Sequence, residues 1–148
     1  MNATLNEIAT FARPPGLYTL RSRARPAAIV RSLEQGGRRC FYLDGGAIGD
    51  KAAFLAAAAE AMRFPAYFGH NWDAFEECVN DLSWAPARGY ALLYDNSARF
   101  ARAQPAEWAT ARAILAAAAE RWRATPTPFY ALLRPTFHSA AGRSAGPP

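Results

Sequence analysis

The clearest pattern in the sequence lies in residues 64 to 82, Phe-Pro-Ala-Tyr-Phe-Gly-His-Asn-Trp-Asp-Ala-Phe-Glu-Glu-Cys-Val-Asn-Asp-Leu. An aromatic loop leads to Asn71, where a helix is predicted to begin, because an Asn side chain can accept a hydrogen bond from a free backbone N–H. At about 100° per residue, this helix has one apolar and one polar side. The apolar side holds Trp72, Phe75, Cys78, Val79 and Leu82, and the polar side holds Asp73, Glu76, Glu77, Asn80 and Asp81.

The polar side of this helix is strongly acidic. It has four carboxylates and no Lys or Arg. Asp73 and Glu77 are four residues apart, as are Glu77 and Asp81, and each like-charged pair at this spacing costs about 0.2–0.5 kcal/mol. Stability alone therefore does not explain the acidic side, and we interpret it as a candidate binding surface.

The composition is that of an ordinary globular protein. A length of 148 residues suits one domain, and no apolar run approaches the ~18 residues of a membrane span. The N-terminal residues lack the basic and apolar segments of a signal peptide, so we expect a cytoplasmic protein. Cys40 and Cys78 are expected to be reduced core residues, because two thiols alone cannot form a structural zinc site.

The net charge of +5 is unevenly distributed along the chain. Residues 1 to 39 contain seven arginines and two glutamates, whereas residues 71 to 82 contain four carboxylates and no basic side chain. Arg accounts for sixteen of the seventeen basic residues, and a genome-wide composition bias would produce the same excess. The charge alone therefore does not identify a partner.

Strands and helices alternate along the chain. Strands are predicted at residues 17–20, 40–43, 90–94 and 129–133, and helices at 26–35, 51–62, 71–82, 97–103 and 105–124. The strand at 40–43 is an unbroken apolar run and is expected to be buried on both faces. Residues 1–16 show no periodicity and are expected to form an arm or loop, and the tail at 139–148 is predicted to be disordered. This order predicts an α/β fold with a small parallel sheet, because parallel neighbours need long crossovers.

A known family matches the central motif. Pro65-x-Tyr67-Phe68-Gly69-x-Asn71-x-Asp73-Ala74, followed by an acidic residue at 77 and Cys78, resembles the signature of the barstar family, intracellular inhibitors of secreted ribonucleases. The resemblance extends from about Cys40 to Leu133. It implies a barstar-like domain with three family strands at residues 40–135, and an N-terminal extension at 1–39 that adds a strand and a helix.

The resemblance also implies a function without catalysis, cofactor or metal. In the family, the loop and the acidic helix enter the nuclease active site, and carboxylates take the place of RNA phosphates. The positions that match the family's partner-binding residues are Tyr67, Phe68, Gly69, Asn71, Asp73, Glu76 and Glu77. Two further candidates, Trp84 and Glu107, lie outside the motif.

Two positions depart from the family pattern. Glu76 stands where barstar has Trp, and Glu77 is one methylene longer than the family's Asp. Such changes alter reach and charge at the centre of the surface, and so alter which partner fits. The resemblance therefore implies, as partner, an extracellular-type ribonuclease or another protein with a basic cleft.

Other functions are consistent with parts of the sequence. A barstar-fold interaction module could bind a non-nuclease partner. An enzyme could use the paired acids with Mg²⁺, but no nucleophile–base pair completes a site, and His70 is interpreted as a surface residue. A nucleic-acid-binding protein would use an arginine-rich N-terminal set that no recognised motif accompanies. This set is Arg21, Arg23, Arg25, Arg38 and Arg39.

Overall fold

The computed structural model describes residues 1–138, and its centre is a five-stranded parallel sheet. The strands are β1 (Asn2–Thr4), β2 (Gly16–Arg21), β3 (Arg39–Asp44), β4 (Tyr90–Asp95) and β5 (Phe129–Arg134). Their order in the sheet is β1-β2-β5-β4-β3, and every neighbouring pair is parallel. The predicted α/β fold is therefore confirmed. The tail for which disorder is predicted, residues 139–148, lies outside the described residues.

Helices cover both faces of the sheet. They are α1 (Leu5–Ala9), α2 (Pro26–Gln35), α3 (Lys51–Met62), α4 (Trp72–Asp81), α5 (Ala98–Ala103) and α6 (Pro105–Arg123). One face packs against α1 and α2, and the opposite face packs against α3 to α6. All residues of the central strands β4 and β5 are buried. Within residues 1–138, no helix combines the length and apolarity that crossing a bilayer requires.

Hydrogen bonds from side-chain caps define where α3 and α4 begin. Asp50 accepts a hydrogen bond from the Ala53 N–H at 2.7 Å and starts α3, and Asn71 accepts one from the Ala74 N–H at 2.8 Å and starts α4. Each such cap stabilises a helix by about 1 kcal/mol. Both helix starts agree with the sequence prediction.

The expectation of an arm or loop at residues 1–16 is wrong. Asn2–Thr4 form β1, and a reciprocal pair of hydrogen bonds between Thr4 and Glu7 starts α1, whose Ile8 is fully buried. The sheet therefore gains two N-terminal strands instead of one. A strand of three residues followed by a helix of five is too short for a repeating hydrophobic pattern to appear.

The expectation that the strand at 40–43 is buried on both faces is also wrong. In the structure β3 lies at the edge of the sheet, and Cys40 and Tyr42 are only half-buried on the side facing α2. Phe41 and Leu43 point to the opposite face and are buried. Both cysteines are free, as expected.

A buried ion pair joins the carboxyl ends of the central strands. Asp95 and Arg134 are cross-strand neighbours on β4 and β5, and the guanidinium donates to both carboxylate oxygens at 2.6 and 2.8 Å. Arg134 also donates to the carbonyl oxygens of Ser22 and Ala24 at 3.1 and 2.7 Å. Arg134 therefore fastens the connection between β2 and α2 to the centre of the sheet.

Candidate partner-binding site

The loop that precedes α4 is anchored by one aromatic side chain and displays another. Phe68 is buried, with its ring centroid 4.9 Å from that of Phe64 and 4.7 Å from that of His70. Tyr67 is 78% exposed. Of the two aromatic residues that match partner-binding positions, Phe68 therefore serves the loop's own packing, and Tyr67 is available to another molecule.

Gly69 and Asn71 shape the start of α4. A Cβ at position 69 would lie 3.2 Å from the side-chain nitrogen Nδ2 of Asn71, so glycine leaves room for the capping side chain. Between them, His70 adopts a left-handed backbone conformation with φ +53°, and its Nδ1 lies 3.2 Å from the Phe68 carbonyl oxygen. The sharp turn places Tyr67 in the loop that leads directly into the first turn of α4.

Helix α6 holds α4 through two tryptophan side chains. Near the start of α4, the Trp72 indole N–H donates to the Glu107 carboxylate of α6 at 2.9 Å. Near the end of α4, the Trp122 indole N–H of α6 donates to the Val79 carbonyl oxygen at 2.9 Å. The last carbonyl groups of a helix lack partners within the helix, so Trp122 supplies one of the missing donors. The sequence contains no sign of this role of Trp122, because its partner lies 43 residues away and leaves no local pattern.

A third tryptophan supports the base of the loop. The Trp84 indole N–H donates to the carbonyl oxygen of Met62, the last residue of α3, at 2.9 Å, and its ring meets the Phe64 ring edge-on at 5.8 Å. Trp84 and Glu107, the two candidates outside the motif, are both half-buried and hydrogen-bonded within the protein. The structure therefore places both where they support α4 and its loop.

The apolar side of α4 packs into the core as predicted. Phe75, Val79 and Leu82 are fully buried, and Trp72 packs against the same cluster while remaining half-buried. Cys78 is also buried. Burial raises the pKa of the Cys78 thiol, and the carboxylates of neighbouring acidic residues raise it further. The thiol therefore stays protonated and unreactive at neutral pH.

The opposite side of α4 is an exposed acidic face, which we define as Asp73, Glu76, Glu77 and Asp81. The salt bridges among residues 1–138 join Arg13 to Glu7, Arg123 to Glu120 and Arg134 to Asp95, and none includes a residue of the acidic face. The four negative charges are therefore not neutralised by the protein itself in its described part. Their repulsion is a cost to folding that an approaching cationic surface would relieve.

The arginines considered for nucleic-acid binding do not form one surface. Arg38 is only 2% exposed, donates to the Ile8 carbonyl oxygen, and lies over the Phe11 ring at 3.8 Å. Arg39 begins β3 at one edge of the sheet, whereas Arg21 ends β2 near the other edge. Because all strands are parallel, the beginning of one strand and the end of another lie at opposite ends of the sheet.

The described residues also lack a cluster suited to a metal ion. Within residues 1–138, no three His, Cys, Asp or Glu side chains are grouped as metal ligands would be. The His70 ring packs on that of Phe68. The motif at residues 64 to 82 contains no second histidine. What the structure does offer is an array of exposed carboxylates on a packed helix, preceded in the loop by an exposed tyrosine.

A comparison with protein-family models matches residues 38–134 to Barstar (barnase inhibitor). The match covers more than half of the 148 residues and includes the loop, the acidic face and the three strands β3, β4 and β5. The chain belongs to the barstar family. No curated protein matches the chain. Membership confirms the resemblance inferred from the motif, and barstars are inhibitors by the description of the family itself.

The structure shows where Glu76 and Glu77, the two positions that depart from the motif, lie on α4. Glu76 and Glu77 are both exposed on consecutive positions of α4. Both charges therefore lie on the exposed side of α4, and its buried side, with Phe75 and Val79, remains apolar. The residues before the match, which form β1, α1, β2 and α2, lie outside the family model.

Proposed function

We propose that this barstar-family protein is a stoichiometric inhibitor of a ribonuclease, and that its acidic face and Tyr67 fill the active-site cleft of that enzyme. A nuclease that holds a polyanion presents converging cations. Carboxylates can satisfy these cations through charge-assisted hydrogen bonds and can also accelerate association. The observation that carries the proposal is the acidic face, which has four exposed carboxylates and no salt bridge within residues 1–138.

The rigidity of α4 supports the same proposal. Trp72 and Trp122 tie the two ends of the helix to α6, and Phe68 anchors the loop. A binding surface that is already ordered loses little conformational entropy when a partner docks, so more of the interaction energy appears as affinity. The exposed Tyr67 adds a large, stiff aromatic ring of the kind that is enriched among interface hot spots.

A second candidate function is inhibition or binding of a non-nuclease protein that has a basic cleft. The observation that favours it is Glu76, which places an extra exposed carboxylate at the centre of the surface. An aromatic side chain there would bury apolar area, whereas a carboxylate requires a cation opposite it. The partner of this chain would then differ from that of barstars with the usual aromatic residue.

An affinity capture separates these two candidates. The wild-type protein and a Glu77→Ala variant are used as baits against extracts of the source cell and its medium. We expect a protein retained by the wild type and lost with the variant, and we expect its RNase activity to fall to zero at an equimolar amount of wild-type inhibitor. A captured partner without RNase activity would support the second candidate instead.

The affinity of the purified complex tests the site itself. Asp73→Ala and Glu77→Ala should each weaken binding by about 2 kcal/mol or more, the size typical of interface hot spots, and should leave the fold intact. Glu60→Ala is the matched control, because Glu60 is an exposed carboxylate on α3 outside the acidic face. Titration calorimetry with the purified partner measures the affinity of all three variants. An unchanged affinity in both Asp73→Ala and Glu77→Ala would reject the site.

A further inference from the structure

A second site is suggested by a cavity of about 370 Å³ at the carboxyl ends of β2 and β5. One wall is formed by residues 19–23 at the end of β2, and the other by residues 134–138 at and after the end of β5. None of its lining residues belongs to α4 or to the loop before it. The cavity is therefore separate from the surface proposed to bind a ribonuclease.

The cavity lies where the chain connections diverge to opposite faces of the sheet. After β2 the chain continues to α2 on one face, and after β4 it continues to α5 on the other face, with β5 between the two strands. In open α/β sheets, ligands bind in the crevice at the carboxyl ends of the strands at such a point. The cavity therefore lies at the end of the sheet where ligands bind in this class of fold.

The charges around the cavity favour an anion. Three arginines and no Asp or Glu line it. Arg134 is neutralised by Asp95, but Arg21 and Arg23 are exposed and form no salt bridge within residues 1–138. Thr19, Ser22 and Thr136 also line the walls, and a hydroxyl group can donate a hydrogen bond to an anion.

An aromatic ring completes the wall formed by residues 134–138. Phe137 lies over the Arg134 guanidinium, with the central carbon 3.4 Å from the ring centroid, and its backbone N–H donates to the Asn96 side chain at 2.8 Å. The ring is therefore held in place from two sides. Unpaired arginines, hydroxyl donors and one aromatic surface suit a phosphate group that carries an organic substituent.

We propose that this cavity binds a small phosphorylated molecule of about the size of a nucleoside monophosphate, with its phosphate group between Arg21 and Arg23. The volume of about 370 Å³ lies within the range of roughly 300–1,000 Å³ typical of small-ligand pockets. The arginines, hydroxyl groups and topology that carry this inference belong to residues outside α4. The proposal therefore does not depend on ribonuclease inhibition.

Titration calorimetry of the full chain at low salt tests the proposal. AMP and ribose 5-phosphate are the probes, and adenosine is the uncharged control. We expect saturable binding of the phosphorylated probes, no binding of adenosine, and a loss of about tenfold or more in affinity for the double variant R21Q/R23Q, because two charge-assisted hydrogen-bond donors are removed. AMP binding tighter than ribose 5-phosphate would indicate a nucleotide, and the reverse would indicate a sugar phosphate.

The double variant R31Q/R121Q is the matched control. Arg31 and Arg121 are exposed and do not line this cavity, so the change in net charge is the same. An equal loss of AMP affinity in both double variants, or no saturable binding by any phosphorylated probe, would overturn the proposal. Tighter binding of an RNA oligomer without terminal phosphate groups than of AMP would overturn it in favour of a nucleic-acid site.

The affinity for the captured ribonuclease should be unchanged in R21Q/R23Q. This result separates the test of the cavity from that of the acidic face.

Discussion

At the scale of single residues, Trp72 shows how a side chain can serve a binding surface without facing the partner. Its ring packs 5.7 Å from that of Phe54 and 5.9 Å from that of Phe75, and its N–H is bound to Glu107. Glu107 lies outside the motif, but the structure shows that it contacts a residue of the motif. Its carboxylate holds the tryptophan that positions the first turn of α4.

The hydrogen bond between Trp72 and Glu107 can be measured with a double-mutant cycle. Trp72→Phe keeps an aromatic ring but removes the N–H, and should lower the free energy of unfolding by about 1–3 kcal/mol, because a hydrogen bond to a charged group is lost. Glu107→Gln should cost less, since its amide oxygen can still accept. The cycle itself uses Glu107→Ala, which removes the acceptor, and urea denaturation of Trp72→Phe, Glu107→Ala and the double variant measures the coupling. Fully additive effects would contradict a direct interaction in solution.

Gly45 is a second residue whose identity the tertiary structure explains. It follows β3 and is buried, and a Cβ there would lie 2.6 Å from the carbonyl oxygen of Asn96 and closer still to that of Asp95. Gly45→Ala should therefore lower the free energy of unfolding by about 3 kcal/mol, because backbone must move. The neighbouring Gly46→Ala is the control, since its Cβ would approach only the Asp44 side chain at 3.2 Å. Equal urea midpoints for the two variants would refute this explanation.

At the scale of an element, α4 combines a sequence that strongly favours a helix with a charge distribution that destabilises it. Its cap at Asn71 and its apolar side agree with the helix predicted from the sequence, and its length is that of the predicted segment within a residue at each end. The acidic face adds repulsion that the fold does not need. A helix selected for stability alone would place Lys or Arg among these carboxylates.

Removal of one charge from α4 should therefore stabilise the free protein. Glu77 is four residues from both Asp73 and Asp81, so Glu77→Gln should raise the free energy of unfolding by about 0.4–1 kcal/mol, while weakening partner binding. Glu60→Gln on α3 is the control and should give a smaller gain, because Glu60 has no acidic residue three or four positions away and only its unfavourable place near a helix C-terminus is relieved. Thermal unfolding at low salt detects the difference. A lower stability of Glu77→Gln would show that the acidic face is not under repulsion.

At the scale of the whole molecule, the residues before the family match complete the core. Ile8, Ile29 and Leu33 of α1 and α2 are fully buried and cover one face of the central strands, including Leu93 and Leu132. The division into an extension at 1–39 and a barstar-like domain at 40–135 stays a prediction. Its two parts nevertheless share one buried cluster on this side of the sheet.

A truncation tests whether residues 40–148 fold alone. Loss of residues 1–39 would expose the apolar face of β4 and β5, and burial of a single Leu side chain contributes about 1.5–3 kcal/mol. The total stability of a domain is only about 5–15 kcal/mol. We therefore expect the fragment to aggregate or to show no cooperative unfolding by circular dichroism, in contrast to the full chain. A cooperative transition with the stability of the full chain would contradict this expectation.

The sequence by itself determined the features that depend on near neighbours. The periodicity of α4, the caps at Asp50 and Asn71 and the apolar runs of β4 and β5 arise from hydrogen bonds and burial patterns within a few residues, so they could be predicted. The same motif was sufficient to indicate the barstar family and the acidic face.

Only the tertiary structure decided the features that depend on distant contacts. It placed β3 at the edge of the sheet, buried Arg38 under Phe11, and joined Trp122 to Val79 across 43 residues of sequence. Strand order and such hydrogen bonds are chosen by the packing of the whole core, and no local pattern encodes them. The position of α4 in the molecule is therefore a property of the fold, whereas the charge of its acidic face is a property of the sequence.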